Sequence, residues 1–414
     1  MKILKKIWPF LVLAVLIRLA LMPIALHPDT WAISFAQYFF AFKGVFNIYD
    51  YLGQLSSSSP LVQNYGANFF TYPPLAYFSL GIFGWVLRPF FNADFFQNLA
   101  INLPQVLADN RLFWHLFLTK LPYLFFDFGA LVLLVKLFDE PKKKRLAVVL
   151  WLFNPLVFYT SYLIGQFDII PVFFTILALF LAKKKSPFWA TFCLGIGGAY
   201  KMFPLLFLPF LAVAEGRNLK QRLGLLLFGV LPYLLSITPF ASSAIFRQIV
   251  LFSNQSQKMF FAKIPVSGAE YLSLFTLLYV FLFVLSLVKK GELWQWFLAV
   301  LLIFFSVTHY HPQWFLWIAP FLVIFMVEHR RLIILPLTLF FSWLLVTLLF
   351  EPSLSVALLA PISPSLVKLP ALTTVINPYY DVFQLKSFLR SIFAGVALLM
   401  VFLMNQPILA CKDA

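Results

Sequence analysis

The sequence predicts an all-α, polytopic membrane protein: a bundle of about 12 transmembrane helices with one further helix lying in the headgroup layer. Three observations carry this. The 414 residues are 62% hydrophobic and only 11% charged, whereas soluble domains run near about 25% charged. Apolar runs of about 18–22 residues, long enough to cross a bilayer, recur from end to end. The basic residues, which give a net charge of +16, fall in short clusters between those runs (142–145, 183–185, 289–290) and not on one face. That is the positive-inside pattern of cytoplasmic loops, and it speaks against nucleic acid as a partner. Cys193 and Cys411 supply neither metal spacing nor a disulfide framework, so no metal and no cofactor is expected.

The elements follow in order. Residues 7–26 form the first span, entering from the cytoplasm because Lys2, Lys5 and Lys6 precede it. Its length, Arg18 and the lack of a small-x-small cleavage site before His27 mark it as a retained helix and not a signal peptide. Pro28 ends it, and Asp29 follows as the only acid before Asp50. Residues 27–71 form an outer loop, within which the aromatic-rich stretch 31–42 is the expected headgroup-layer helix. The serines at 56–59 mark a loop tip. Tyr72-Pro73-Pro74-Leu75 opens the next apolar run, since prolines at a helix start lose no hydrogen bond. Residues 92–115 read neither as loop nor as membrane, and a clear span covers 117–138.

From there the basic clusters fix the direction of each segment. Residues 146–164 run out and 169–182 run back, with Gly165-Gln166-Phe167-Asp168 at the outer turn. Residues 188–200 and 202–214 form a short outward hairpin with Lys201 at its apex. Residues 223–240 lead to a basic, amphipathic outer loop at 241–270 that contains Arg247, Lys258 and Lys263. Spans near 271–288 and 293–308 come next, then the outer turn holding His309 and His311, then spans near 315–327, 332–350 and 387–405. Both termini are expected in the cytoplasm.

With this topology Asp29, Asp168, Lys201, Arg247, His309 and His311 all map to the outer edge, and ionisable groups there are candidates for function. Each also has a structural explanation. Asp168 can cap the helix that begins at Ile169, Lys201 can snorkel to the headgroups, and the two histidines can belong to an aromatic belt with Trp314 and Trp317. Asp127, inside an apolar run, suits either a structural pairing with Arg18 or catalysis.

The ordered set of motifs resembles a known family. It comprises an arginine in the first helix, an Asp just past it and an aromatic outer loop. Tyr72-Pro73-Pro74-Leu75, Lys120-Leu121-Pro122 with the later Asp127, Asn154-Pro155, Gly165-Gln166-Phe167-Asp168 and Lys201-x-x-Pro204 follow. Over roughly residues 7–215 the chain is similar to the GT-C superfamily of membrane glycosyltransferases that use polyprenyl-phosphate sugars. Within it the chain is similar to the glycosylphosphatidylinositol mannosyltransferase-like and family 87 branches. The Tyr-Pro-Pro-Leu run is also similar to a motif of dolichyl-phosphate-glucose-dependent glucosyltransferases.

The resemblance implies a GT-C-like fold: a core at 7–215 with its catalytic outer loop at 27–71, and a variable part at 216–414. It implies Asp29 as the catalytic base. The leaving lipid phosphate needs cations and donors held close, and Lys201, Arg247, His309 and His311 are the available ones; with Tyr72, Gln166 and Asp168 they are the expected substrate-binding residues. Many members carry paired acids near the first outer loop. Here the next acid is Asp50, which favours metal-free inverting transfer. The expected reaction moves a hexose, mannose foremost, from a polyprenyl-phosphate sugar to a lipid-linked or extracytoplasmic glycan acceptor. The site would face outward from a cell membrane or into the endoplasmic reticulum. The alternative is a multi-span transporter of lipids or small molecules, which calls for ionisable groups at the midplane and two related halves. Neither is visible in the sequence.

Overall fold

In the computed structural model, residues 2–66, 68–253 and 257–406 are described. Cys411 lies outside them. Nearly everything is helix. Six stretches are long and apolar enough to cross a membrane: Ile7–Ile24, Arg111–Lys136, Pro141–Ile164, Leu219–Phe240, Arg330–Leu348 and Val382–Met404. Shorter apolar helices, among them Pro74–Val86, Ile169–Lys183 and Leu293–Val307, pack between them. Large apolar side chains such as Leu227, Phe281 and Phe402 point outward from the bundle, as they do where lipid replaces water. The chain is a multi-pass membrane protein.

The bundle has two chemically distinct ends. Pro141–Ile164 starts in the basic cluster at 142–145 and finishes against Gly165, while Ile169–Lys183 starts at Asp168 and returns to the cluster at 183–185. The basic end is laced together: Lys183 Nζ lies 3.0 Å from Asp139, Lys143 Nζ lies 2.6 Å from Glu328, and Lys289 donates to the Asn405 carbonyl at 3.2 Å. Asp29 and Asp168 sit at the other end.

Three expectations need correction. The segment from residue 92 resolves into a short helix, Ala93–Ile101, and a span that opens at Arg111, six residues before the expected 117. Arg111, His115 and Lys120 break the apolar run there and hid its start. The aromatic helix, Pro28–Ala41, is present, but its side chains from Thr30 to Phe39 are buried by protein and do not lie against headgroups. Its neighbour Pro74–Val86 allows this close approach, because a Cβ at Gly84 would come within 2.9 Å of Gln37 Cα. Finally, the loop at 241–270 holds an antiparallel hairpin, Lys263–Ser267 with Glu270–Ser273, turning at Gly268.

Inside the bundle Arg18 and Asp127 are both fully buried and paired at 2.6 Å. Asp127 also accepts from Trp151 Nε1 at 2.8 Å and the Tyr162 hydroxyl at 2.7 Å, and Arg18 donates to the Leu152 carbonyl at 2.9 Å. Asp127 thus serves the packing of three segments, the first helix, Arg111–Lys136 and Pro141–Ile164.

Candidate functional site

The site is built where the first helix, Lys2–Ile24, gives way to Pro28–Ala41. The last carbonyls of a helix have no intrahelical donor. Here the fully buried Lys120 supplies one, its Nζ donating to the carbonyls of Met22 at 2.9 Å and Ala25 at 2.6 Å. The same amine donates to the Tyr162 carbonyl at 2.9 Å. The Gly165 turn is thereby tied to the end of the first helix. Thr30 Oγ1 adds a bond to the Ile164 carbonyl at 2.8 Å, and the Tyr123 hydroxyl one to the Gly165 carbonyl at 3.0 Å. Gly165 has φ +78°, and a Cβ there would lie 2.8 Å from Lys120 Cε, so both conformation and space require glycine.

This scaffold aims Gln166 at Asp29. Gln166 Nε2 donates to Asp29 Oδ2 at 2.6 Å and reaches the Tyr72 hydroxyl at 2.6 Å. Gln313 Nε2, from the turn after His311, donates to the same Oδ2 at 3.1 Å. Oδ1 takes no hydrogen bond from the described residues, and the side chain remains 30% exposed. The Asp29 backbone N–H donates to His27 Nδ1 at 3.1 Å, so that ring carries any neutral proton on Nε2. Burial holds the His27 imidazole below its ordinary pKa, against the upward pull of Asp29 and Glu351.

Asp29 opens on a cavity of about 580 Å³. Tyr72, Gln166, Lys201, Lys258, His311 and Gln313 share its polar lining, and Leu205, Leu206, Val250, Met259 and Phe304 belong to its apolar wall. Asp29, Tyr72, Gln166, Lys201 and His311, all singled out from the sequence, line this one space.

Three expected members behave differently. Asp168 stands at the cap position before Ile169–Lys183 but makes no capping bond. Fully buried, it accepts from Lys201 Nζ at 2.6 Å and from Trp317 Nε1. Lys201, in an extended break between Pro187–Tyr200 and the next turn, is thus already neutralised by a carboxylate. Arg247 is exposed and donates to the carbonyls of Ala241 and Ser242, both at 2.8 Å; it does not line the cavity. His309 also lies outside the lining.

The residue that sequence reading passed over is Lys258. Its Nζ lies 2.7 Å from His311 Nε2 and 5.8 Å from the centre of the Trp314 ring. No carboxylate of the described residues pairs with it. The signal was faint: one lysine among several in a loop without periodicity.

Burial, then the Lys258 charge, pushes the His311 pKa down to about 4, with Asp29 pulling the other way. The neutral ring is the one that accepts from Lys258. A pKa lowered on folding contributes stability that is full above about 6.5 and is lost as pH falls toward 4. Thermal unfolding in detergent should therefore show a falling Tm across that window, with a shallower fall in His311→Gln. An identical slope in the variant would refute the assignment.

The model of glycosyltransferase family 87 matches residues 70–296, more than half of the chain. The match takes in Tyr72, Gln166, Asp168, Lys201 and Lys258, and leaves Asp29 and the His309–His311 turn outside. No curated protein and no solved structure matches.

Proposed function

The chain belongs to glycosyltransferase family 87, and on that premise we propose inverting transfer of a hexose, mannose foremost, from a polyprenyl-phosphate sugar, with Asp29 as general base. The acceptor is a lipid-linked or extracytoplasmic glycan. The observation that carries this reading is the asymmetry of Asp29: two glutamine amides hold Oδ2 while Oδ1 is left open beside a cavity. Two donors on one oxygen fix the direction of the carboxylate. An acceptor hydroxyl gives its proton to Oδ1 as its oxygen bonds to the anomeric carbon. The bond from that carbon to the phosphate oxygen breaks on the opposite face, and polyprenyl phosphate leaves.

Negative charge then grows on the leaving phosphate and needs donors already in place. Lys258 with His311 suits that task better than Lys201, whose charge Asp168 already balances. The cavity's apolar wall suits the first isoprene units. Asp50 accepts from Asn47 and Ser243 and does not line the cavity. Lys201 and Trp317 line the cavity and are held in place from behind by the buried Asp168.

The decisive assay supplies membranes with labelled polyprenyl-phosphate sugars and separates the lipid products. Transfer from a mannosyl donor is the expected outcome, and absence of transfer from any polyprenyl-phosphate hexose would overturn the reading. Lys258→Gln should lower kcat/KM by about 10²-fold, with the protein still folding cooperatively at neutral pH; a loss below threefold would remove Lys258 from the phosphate role. An extracytoplasmic site further requires the clusters at 142–145, 183–185 and 289–290 to be cytoplasmic. Single cysteines there should resist a membrane-impermeant reagent in intact cells, and labelling at 183–185 would reverse the orientation.

A further inference from the structure

The loop after Leu219–Phe240 ends in the hairpin of Lys263–Ser267 and Glu270–Ser273, which leads into the apolar helix Leu274–Val288. Ile264 stands opposite Leu272, so these two share one face of the hairpin. Lys263, opposite Ser273, and Tyr271, opposite Pro265, belong to the other. The Lys263 ammonium lies 4.5 Å from the centre of the Tyr271 ring, which keeps the charge on that second face. Ile264, Leu272 and, at the bulge beside them, Val266 are all exposed. A two-stranded hairpin with neither a third strand nor a helix packed on it is marginal in water, so the apolar face calls for a cover.

The helix that follows identifies the cover. No loop intervenes: Ser273 ends the strand and caps Leu274–Val288, its hydroxyl accepting from the Thr276 N–H at 3.4 Å. The Leu274 N–H donates to the Ala262 carbonyl at 3.0 Å and closes the neck of the hairpin. Along the helix Leu277, Val280, Phe281 and Val284 recur at helical spacing and are exposed, a stripe turned toward lipid. The far end is fixed at the basic end of the bundle, where Lys289 donates to the Asn405 carbonyl. Near the other end Tyr279 lines the Asp29 cavity. Fifteen residues make a helix about 22 Å long, against about 30 Å of hydrocarbon. On the Asp29 side about 8 Å of membrane depth is left for what precedes the helix, and the hairpin precedes it.

We propose that this hairpin inserts into the leaflet on the Asp29 side of the bundle, where the phospholipid bilayer covers its apolar face. Ile264, Val266 and Leu272 lie among the upper acyl segments, and Lys263 and Glu270 stand at the headgroups. The strand edges keep the insertion shallow, because their free N–H and C=O groups need water, which the headgroup layer supplies and the hydrocarbon does not. Lys263 extends along the Tyr271 ring toward the water, as lysines do at that depth. The neck leads back through the exposed Phe261 and Phe260 to Lys258, which lines the cavity. The seated hairpin thus holds the mouth of the cavity at headgroup level.

The test uses the full chain with Cys193→Ala and Cys411→Ser, carrying Ile264→Cys, Val266→Cys or Leu272→Cys one at a time, labelled with bimane in nanodiscs of palmitoyl-oleoyl phosphatidylcholine. Phe281→Cys, on the lipid-facing stripe, and Ser57→Cys, at the exposed serine tip, are the references. Emission is read with doxyl-labelled phosphatidylcholine in the bilayer or with iodide in the water. The doxyl lipid should quench the hairpin labels to within about twofold of Phe281→Cys, and iodide should quench them at least about threefold less than Ser57→Cys.

Iodide quenching equal to that of Ser57→Cys would place the hairpin in water, with the bilayer thinned around a short helix instead, and would overturn the proposal. Protection from both quenchers would mean that protein covers the face, a second copy or another chain, and would overturn it as well. Neither reading needs turnover, so the result stands apart from the transferase reading.

Discussion

Asp29→Asn is expected to lower hexose transfer by about 10²–10⁴-fold, the range a positioned general base contributes, while leaving the protein folded. Asparagine has the same shape, and its carbonyl still accepts from Gln166 or Gln313. The local fold does not depend on the carboxylate, because the bond that caps Pro28–Ala41 runs from the residue 29 backbone N–H to His27. What is lost is the lone pair on Oδ1 that takes the acceptor proton. Initial rates with a labelled polyprenyl-phosphate sugar, beside a thermal unfolding curve, make the measurement. Activity within about threefold of wild type would mean that Asp29 is not the base.

Lys120→Met is the second large effect, and it acts through architecture. Methionine fills much the same volume but donates nothing, which leaves the carbonyls of Met22, Ala25 and Tyr162 buried without this donor. A buried polar group stripped of its partner costs about 1–3 kcal/mol, so the variant should lose on the order of 3–5 kcal/mol. The loosened parts are the end of the first helix and the Gly165 turn, which together aim Gln166 at Asp29. Transfer should fall along with stability. Unfolding in detergent at the wild-type temperature would show that the three carbonyls find other donors and that Lys120 is not the tie.

The sequence made much of the site legible because its signals are local. A proline ending the first span, an acid directly after it and Gly-Gln-Phe-Asp at a turn each announce themselves within a few residues. The positive-inside clusters then put Asp29 and Asp168 at one end without any three-dimensional knowledge. What stayed hidden depends on partners far away in the chain. Asp168 has the sequence of a helix cap, and only the arrival of Lys201 and Trp317 turns it to other use. Lys201 resembles a free cation until that carboxylate is seen. Lys120 touches segments 98 and 42 residues away, so no window of sequence reveals its role. The buried state of Pro28–Ala41 was missed for a related reason. Aromatic residues suit a headgroup layer and a protein interior equally, and composition does not separate the two.

The Arg18–Asp127 pair has a bearing on how the chain is made. The two residues are 109 positions apart, so the first helix leaves the ribosome well before its counter-charge exists. An arginine near the centre of an inserting helix disfavours partition into lipid by about 2.5–3.5 kcal/mol on the translocon scale, a deficit that the surrounding leucines, valines and alanines of Ile7–Ile24 outweigh. The first helix therefore enters on its own apolarity, carrying an unmatched charge. It acquires its mate only when Arg111–Lys136 follows it into the bilayer. Helix recruitment during biogenesis is then directed by electrostatics: the waiting guanidinium selects the one arriving segment that brings a carboxylate to its depth.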